Sequence, residues 1–447
     1  MQSVPKPQWR VIFDLAWPTM AERALGTVVQ YIDTGMVGRL GAHATACIGL
    51  TSSATWMVNS PLWAFGVGVL ACTAKAVGAK DEQTVRRTAS QTVLLTLVLG
   101  VIIGVLTLVI SPFLPAWLGA EESLRRDGGL YFGIVCSPML FWAALTLFAA
   151  SLRATGDTRT PMFINVGINV LNIILNALLI YGCGWGVVGA AIATAVSYAV
   201  GGIVMSACFF RNKRLSLRGT RIRYDREAMA PIIRISVPVV GTRLATFLGH
   251  VVFSSLVTSL GTQALASHTL ALTAEQAFYI PGYGMQAAGA TLAGQALGER
   301  DRDKLWRVSR TVMTFTILMM CLTGGILFLI PRQMMALFTA DAAVIAGGVP
   351  LLRIIAVTEP VYGMGIILEG VFEGVGETRA PFVYSLVCMW GIRILGTVLC
   401  VRYFGLGLVS VWLCMAADNS CRGFMLAVKY FRRNWLDRLL PPGRAAD

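Results

Sequence analysis

The chain has 447 residues, of which 56% are hydrophobic and only 13% are charged, and its formal net charge is +14. Its mean hydropathy is +0.68. Soluble domains carry about 25% charged residues, so this composition excludes an ordinary soluble protein and predicts an integral membrane protein with several spans. The positive charge needs no nucleic-acid partner, because the basic residues cluster in loops between apolar segments.

The apolar segments predict twelve membrane-spanning helices. They cover residues 15–38, 45–74, 88–112, 128–152, 160–182, 186–210, 230–258, 266–296, 306–330, 344–372, 380–402 and 406–430. If the first residues are cytoplasmic, the loops on that side hold most of the Lys and Arg residues and the opposite loops hold few. We therefore expect a multi-pass protein of the plasma (cytoplasmic) membrane with both termini in the cytoplasm.

The sequence repeats itself with an offset of 220 residues. The clearest match pairs the Gly-(Asp/Glu)-Thr-Arg-x-Pro motifs at 156–161 and 376–381. Each repeat holds six predicted spans, an even number, so both halves enter the membrane in the same orientation and are related by an axis along the membrane normal. This predicts an all-α fold of two parallel six-helix repeats around a central cavity. The predicted lobes are 1–210 and 227–447, joined by a basic cytoplasmic linker at 211–226.

Asp33 places an acid deep in the first predicted span. It lies about 27 Å along a helix that starts near Leu15. An ionised carboxylate at such a depth costs about 2.5–3.5 kcal/mol. Asp33 should therefore face a cavity or a partner; the alternative is that it reaches the headgroups from a helix end.

The fifth span carries a stripe of four asparagines on one helical face, at positions i, i+4, i+7 and i+11. They are Asn165, Asn169, Asn172 and Asn176. Such a stripe is either interhelical hydrogen bonding or a row of oxygen ligands. Asn172, Asn176 and Thr194 of the sixth span lie at about the depth of Asp33, which favours an ion or proton site built from these four residues.

The second half does not repeat this cluster, because Phe253, Ile392, Gly396 and Cys414 occupy the equivalent positions. It carries other intramembrane acids, among them Glu275, Glu359 and Glu369. Glu369 either binds a cationic substrate or pairs with Arg393. Aromatic and thioether side chains suit loosely specific binding of organic cations. The candidate substrate contacts are Asn165, Asn169, Glu275, Tyr283, Met285 and Glu369.

The ten cysteines form no Cys-x-x-Cys pair and mostly fall in apolar segments. We therefore expect reduced, packed thiols rather than a disulfide framework or a zinc site. No phosphate-binding loop, nucleophile elbow or metalloprotease helix is present in the sequence. This disfavours a membrane enzyme and transport powered by nucleotide hydrolysis within the chain.

Three stretches together resemble the multidrug and toxic compound extrusion (MATE) family: residues 31–38, 156–161 and 184–194. The resemblance implies two lobes that face a central cavity and export organic cations in exchange for H⁺ or Na⁺ by rocker-switch alternating access. We expect a monomer in contact with membrane lipid, with no cofactor besides the coupling ion and with organic cations or amphiphiles as its small-molecule partners. The resemblance also implies ion-site roles for Asp33, Asn172 and Thr194, but family members have an aspartate where this chain has Asn176. One carboxylate instead of two leaves the coupling ion open between H⁺ and Na⁺.

A runner-up within the same superfamily is a flippase for lipid-linked saccharides. Such a protein should line its cavity with several arginines that hold a diphosphate. Arg23, Arg243 and Arg393 are the only intramembrane candidates here, which favours the export of cations or amphiphiles.

Overall fold

The computed structural model describes residues 8–217 and 222–441, and helices account for all the regular secondary structure in these ranges. The predicted all-α class is therefore confirmed. The basic residues Arg218, Arg221 and Arg444, which contribute to the predicted cytoplasmic charge, lie outside the described residues.

The first half of the chain forms eight helices. They are α1 (Gln8–Gly38), α2 (Ala42–Gly78), α3 (Glu82–Ile110), α4 (Leu114–Trp117), α5 (Glu122–Cys136), α6 (Met139–Ala154), α7 (Arg159–Asn176) and α8 (Gly186–Arg211). A π-helical turn, Ala177–Gly182, extends α7. The short α4 was not predicted from the sequence.

The second half forms ten helices. They are α9 (Arg226–Thr258), α10 (Thr262–Gln276), α11 (Ile280–Gly298), α12 (Arg302–Leu329), α13 (Pro331–Ala336), α14 (Ala342–Gly374), α15 (Arg379–Val387), α16 (Leu395–Val398), α17 (Leu408–Phe431) and α18 (Asn434–Leu439). Two π-helical segments, Cys388–Ile394 and Leu399–Tyr403, flank α16.

Two predicted continuous spans are interrupted. The span expected at 128–152 is divided between α5 and α6, which meet at 46°. Pro138 lies in the break. The span expected at 266–296 is divided by a short 3₁₀ turn, Ala277–Tyr279, before Pro281. Proline supplies no backbone N–H and disfavours a helical conformation in the residue before it, which explains both breaks.

Within the described residues, eight helices are long and apolar enough to cross a membrane, or nine if α5 and α6 form one bent span. The chain is therefore a multi-pass membrane protein. The count of twelve stays a prediction. Helix α10 has only 15 residues, which is short for a membrane crossing. Helix α17 carries Asp418, Arg422 and Lys429 along its length, and charged side chains make a crossing more costly.

The chain divides into two compact units. The first unit is Ala21–Val240, and the second combines Met1–Met20 with Gly241–Asp447. One core of the first unit joins α3, α6 and α8 through residues such as Ala89, Phe148 and Met205. The largest core of the second unit includes Met285 and Ile367. The lobe boundaries 1–210 and 227–447 remain predictions.

Local backbone geometry repeats along with the sequence. Gly41 and Gly261, 220 residues apart, both adopt φ 102°, a conformation that favours glycine. Asp81 accepts a hydrogen bond from the Thr84 N–H at 3.0 Å, and Asp301 accepts one from the Lys304 N–H at 2.8 Å. The predicted repeat is thus matched in the conformation of individual turns, whereas the arrangement of the halves stays a prediction.

Candidate functional site

Four polar side chains of the first unit form one hydrogen-bonded chain. Asn176 donates to Asp33 Oδ1 at 3.0 Å and to Asn172 Oδ1 at 3.1 Å. Asn172 donates to Thr194 Oγ1 at 3.3 Å, and the Thr194 hydroxyl donates to the carbonyl of Ala190 at 3.0 Å. The structure thus brings together all four residues that the sequence predicts for the ion site.

The amide of Asn176 has one unused oxygen. Its nitrogen donates both of its hydrogens, to Asp33 and to Asn172, which determines the orientation of the amide because the reverse orientation would face oxygen to oxygen. Asn176 is only 3% exposed, and its Oδ1 has no hydrogen-bond partner. A buried acceptor without a partner is costly, so this atom marks a position for a donor or a cation.

Local packing holds together α1, α7 and α8, the three helices that carry the hydrogen-bonded side chains. Asn172 and Asn176 are one turn apart on α7 and project from the same face. Gly189 lets α8 approach the π-helical turn after α7, since a Cβ at this position would lie 2.9 Å from the carbonyl oxygen of Leu179. The Tyr181 hydroxyl donates to the carbonyl of Met36 at 2.7 Å and ties this turn to α1.

The other end of the asparagine stripe has a different role. Asn165 donates to Glu22 Oε1 at 3.0 Å, and Arg153 Nη2 contacts both carboxylate oxygens of Glu22, at 3.0 and 2.9 Å. This cluster links α1, α6 and α7, so the role of Asn165 in the structure is to form a hydrogen bond between helices. Glu22 was missed, although its position on α1 near Arg23 was a visible sign of intramembrane charge. Asn169 is half-buried between the two clusters.

An ion pair in the second unit accounts for Arg393. Its Nε lies 2.8 Å from Asp418 Oδ2, and its Nη2 donates to Asn419 at 3.0 Å. Arg393 and Asp418 are 5% and 2% exposed. Glu369 was one candidate partner of Arg393 from the sequence, but the residue that pairs with Arg393 in the structure is Asp418, which was not predicted.

Besides Asp418, the buried acids of the second unit include Glu275, Glu359 and Glu373, and the first two have spare oxygens. Glu359 is completely buried and accepts a hydrogen bond from Thr323 at 3.1 Å. Glu275 is 5% exposed. One carboxylate oxygen of each has no hydrogen-bond partner. Desolvated carboxylates with spare acceptors are suited to a proton or a cation.

The remaining candidate substrate contacts differ in exposure. The hydroxyl of Tyr283 lies 3.5 Å from that of Tyr362, whose ring meets Tyr279 edge-on at 4.9 Å. Glu369 is half-buried. Met285 is 2% exposed within the largest core of its unit, which favours a packing role over substrate contact.

Comparison with known proteins places most of the chain in one family model. The MatE model matches residues 18–178 and 238–399. One match falls in each sequence repeat, and the first includes Asp33, Asn172 and Asn176, whereas Thr194 lies beyond its end.

Several curated proteins are similar over nearly their whole length. The probable multidrug resistance protein NorM of Thermotoga maritima is 27% identical over 441 residues, covering 98% of this chain and 95% of the relative. The uncharacterized transporter YisQ of Bacillus subtilis is 21% identical and covers 96% of this chain and 95% of the relative.

Solved structures share the fold. An outward-facing multidrug resistance MATE family transporter of the MOP superfamily has a TM-score of 0.91, with 23% identity and 97% of both chains covered. A MOP superfamily transporter from Pyrococcus furiosus, described as having reverse polarity of its binding pocket, has a TM-score of 0.90 at the same identity and coverage. At this identity the likeness concerns the fold alone.

Proposed function

Because the chain belongs to the MatE family, as its motifs predicted, we propose that it is a secondary antiporter that exports organic cations or amphiphiles in exchange for H⁺ or Na⁺. The family consists of transporters rather than enzymes, and multidrug resistance is in the names of several relatives. The single observation that carries the coupling part of this proposal is the hydrogen-bonded chain from Asp33 to Thr194.

The proposed coupling step occurs at Asp33. The carboxylate belongs to α1, whereas its hydrogen-bond donor Asn176 belongs to α7, and α7 is joined in turn to α8 through Asn172 and Thr194. In its ionised form it accepts the N–H of Asn176; a proton or cation that binds there changes the charge and the hydrogen bonds that join these helices. Occupancy of Asp33 is thereby linked to the relative stability of two arrangements of the helices, which is what alternating access requires.

Between the two ions, the oxygen supply favours H⁺. Na⁺ is a hard cation, and the hard cations Ca²⁺ and Mg²⁺ take about six or more oxygen ligands in proteins, so we compare the number of available oxygens with this requirement. In the hydrogen-bonded chain, the amide oxygen of Asn172 is already an acceptor, and the free acceptors are on Asp33 and Asn176. A proton needs only one of them, so we propose H⁺ as the coupling ion with Asp33 as its carrier.

Cationic substrates fit the acids of the second unit better than a diphosphate would. Glu275 and Glu359 are buried with free carboxylate oxygens, and Tyr283 and Glu369 are half-exposed polar side chains of the same unit. Arg393, one of three candidates to hold a diphosphate, is already neutralised by Asp418. These observations support cation export over lipid-linked saccharide flipping.

The decisive experiment is efflux of a fluorescent organic cation from proteoliposomes under separately imposed gradients. We expect a pH gradient to drive efflux at equal Na⁺ concentrations, and a Na⁺ gradient at equal pH to have little effect. The opposite result would reject H⁺ as the coupling ion while leaving antiport intact. Efflux that neither gradient accelerates would reject antiport itself.

A further inference from the structure

Three sulfur atoms converge in the second unit. Cys388 begins the π-helical segment after α15, while Cys421 and Met425 lie one turn apart on α17. The sulfur of Cys388 is 3.8 Å from that of Met425, and the thiol of Cys421, one turn before Met425, is close enough to interact with the Cys388 thiol. Neither the sequence repeat nor the proposed transport function accounts for this cluster.

The spacing of these sulfurs suits a single bound metal. Sulfur ligands lie about 2.3 Å from a metal such as zinc, so three of them in a trigonal plane are about 4 Å apart. The 3.8 Å between Cys388 and Met425 is close to this value. Because Cys421 and Met425 are four residues apart on one helix, they present their sulfurs on the same side.

The ligand chemistry selects a soft ion. Thiolate and thioether sulfur together favour Cu⁺, whereas zinc sites draw on Cys, His and carboxylate ligands. Within the described residues, no group of three or more His, Cys, Asp and Glu side chains is arranged to hold a metal, so the thioether of Met425 is what completes three ligands. Ag⁺ has the same charge and the same preference for sulfur.

The surroundings are compatible with a small monovalent ion. Cys388 is fully buried, and its neighbour Met389 is 4% exposed, so the site excludes water on one side. Cys421 and Met425 are half-buried and leave a route for the ion. Asp418 and Arg422, two side chains of opposite charge on α17, lie within electrostatic range of Cys388.

We propose that Cys388, Cys421 and Met425 form a binding site for one soft monovalent metal ion, Cu⁺ or Ag⁺. Both thiols release their protons to solvent as they become ligands. The bound ion joins the segment after α15 to α17. It should therefore stabilise the folded protein by mass action and restrict any movement of these two segments against each other.

Titration of the purified, reduced protein with Cu⁺ against a Cu⁺ chelator, and separately with Ag⁺, tests this site. We expect one ion per chain, with affinity at least tenfold lower in Cys388→Ser, Cys421→Ser and Met425→Leu. X-ray absorption should show three sulfur neighbours in the parent and two in Met425→Leu, which keeps both thiols.

Two matched controls separate this site from general thiol binding. Cys400 and Cys414 have sulfurs 3.9 Å apart but no third sulfur partner in the contacts described, so Cys400→Ser with Cys414→Ser should leave the measured affinity unchanged. Met389→Leu removes an adjacent thioether and should also have no effect. Thermal unfolding without metal checks that each variant is folded. Cys388→Ala replaces Cys388→Ser if the latter does not fold.

The proposal is overturned if Met425→Leu binds as tightly as the parent with an unchanged number of sulfur neighbours. It is equally overturned if the loss of affinity follows the Cys400 and Cys414 substitutions. Both results are independent of whether the protein exports organic cations, because binding is measured without transport.

Discussion

At the scale of single residues, the hydrogen-bonded chain described around Asp33 contains no second acid. Asp33 ends a hydrogen-bonded chain of three neutral side chains, and Asn176 is the one that donates an N–H to it. Binding or release of a proton or cation in this hydrogen-bonded chain therefore changes the charge of one titratable group, Asp33. This makes single substitutions at Asp33 and Asn176 informative.

Asp33→Asn should abolish gradient-driven efflux of an organic cation while leaving the thermal unfolding midpoint close to that of the parent. The amide cannot release or take up a proton in the working range, but it keeps the shape of the side chain and removes a charge that is costly in a membrane. Proteoliposome efflux and thermal unfolding are the two measurements.

Asp127→Asn is the matched control for this change, because Asp127 is a half-exposed acid of the same unit outside the hydrogen-bonded chain. It should retain efflux. If Asp33→Asn transports as well as Asp127→Asn does, Asp33 is not the coupling residue.

Asn176→Asp should raise the sensitivity of transport to Na⁺. The new carboxylate replaces a donor that lies 3.0 Å from Asp33, and two carboxylates this close favour either a shared proton or a bound cation. Transport rates against Na⁺ concentration at fixed pH measure the effect. A parent that already responds strongly to Na⁺ and hardly to pH would contradict the proposed proton coupling.

Helical spacing and depth were enough to predict that Asp33, Asn172, Asn176 and Thr194 come together, because they needed only to share a face and a level. Their role as an ion site stays a prediction. Pairing between side chains of different helices was harder to predict. The partners of Asn165 and Arg393 depend on the rotation of each helix about its axis. A single sequence determines which residues share a face but not which neighbour that face meets.

At the scale of helices, close contacts depend on glycine. A Cβ at Gly202 of α8 would lie 2.7 Å from the Cα of Phe141 on α6 and would also meet its carbonyl oxygen. Backbone cannot move away as a flexible side chain can, so the two helices would have to separate. Span prediction from hydropathy does not contain this requirement.

Gly202→Ala should therefore destabilise the protein by about 1–3 kcal/mol, the usual cost of overpacking. Gly167→Ala on α7 is the control, since its Cβ would meet nothing within 4 Å. There the gain in helix propensity should leave stability equal or slightly higher. Thermal unfolding in detergent compares them, and equal midpoints for the two variants would argue against a close contact of α6 and α8.

Helix capping adds a contribution that depends on pH. Hydrogen bonds from the hydroxyl and backbone N–H of Thr84 lower the pKa of the Asp81 carboxyl below its ordinary value. A lowered pKa in the folded state stabilises the protein above the unfolded pKa of about 3.9. This contribution is lost as the pH falls through the lower, folded value.

Asp81→Ala should cost about 1 kcal/mol at pH 6, as expected for an N-cap, and its difference from the parent should shrink below about pH 4. Thermal unfolding at several pH values measures this. Glu82→Ala is the control, because the ion pair of Glu82 with Arg86 is largely exposed and should contribute little. A difference that stays constant down to pH 3 would exclude Asp81 as the titrating cap.

Breaks inside helices illustrate the limit of prediction at this scale. Pro138 and Pro281 were visible in the sequence, yet both spans were predicted as continuous because hydropathy runs through them. Whether a proline bends a helix or interrupts it depends on partners for the freed carbonyl groups, which come from neighbouring helices. The short helices α4, α13 and α18 were missed for the related reason that they have too few residues to show a period.

At the scale of the whole molecule, the number of membrane crossings determines whether the two halves have the same orientation. Within the described residues, eight helices are long and apolar enough to cross, with the bent pair α5 and α6 as a ninth, while the apolar segments predict twelve spans and the charge distribution predicts cytoplasmic termini. Reporters that are active on one side of the membrane can decide between these counts, because every true crossing reverses the side.

We predict alternating sides for a fluorescent protein and an alkaline phosphatase fused after Leu40, Lys80, Gly119, Gly156 and Gly184, with Leu40, Gly119 and Gly184 outside. Lys75, Arg86, Arg87 and Arg153 flank the two inner junctions, and such residues are retained in the cytoplasm. If α5 and α6 turned back without crossing, Gly119 and Gly156 would report the same side. If α1 did not cross, Leu40 would report the cytoplasm. In either case the even count that gives both halves the same orientation would fail. The proposed parallel repeat would then have to be abandoned, although the hydrogen-bonded chain around Asp33 would stand.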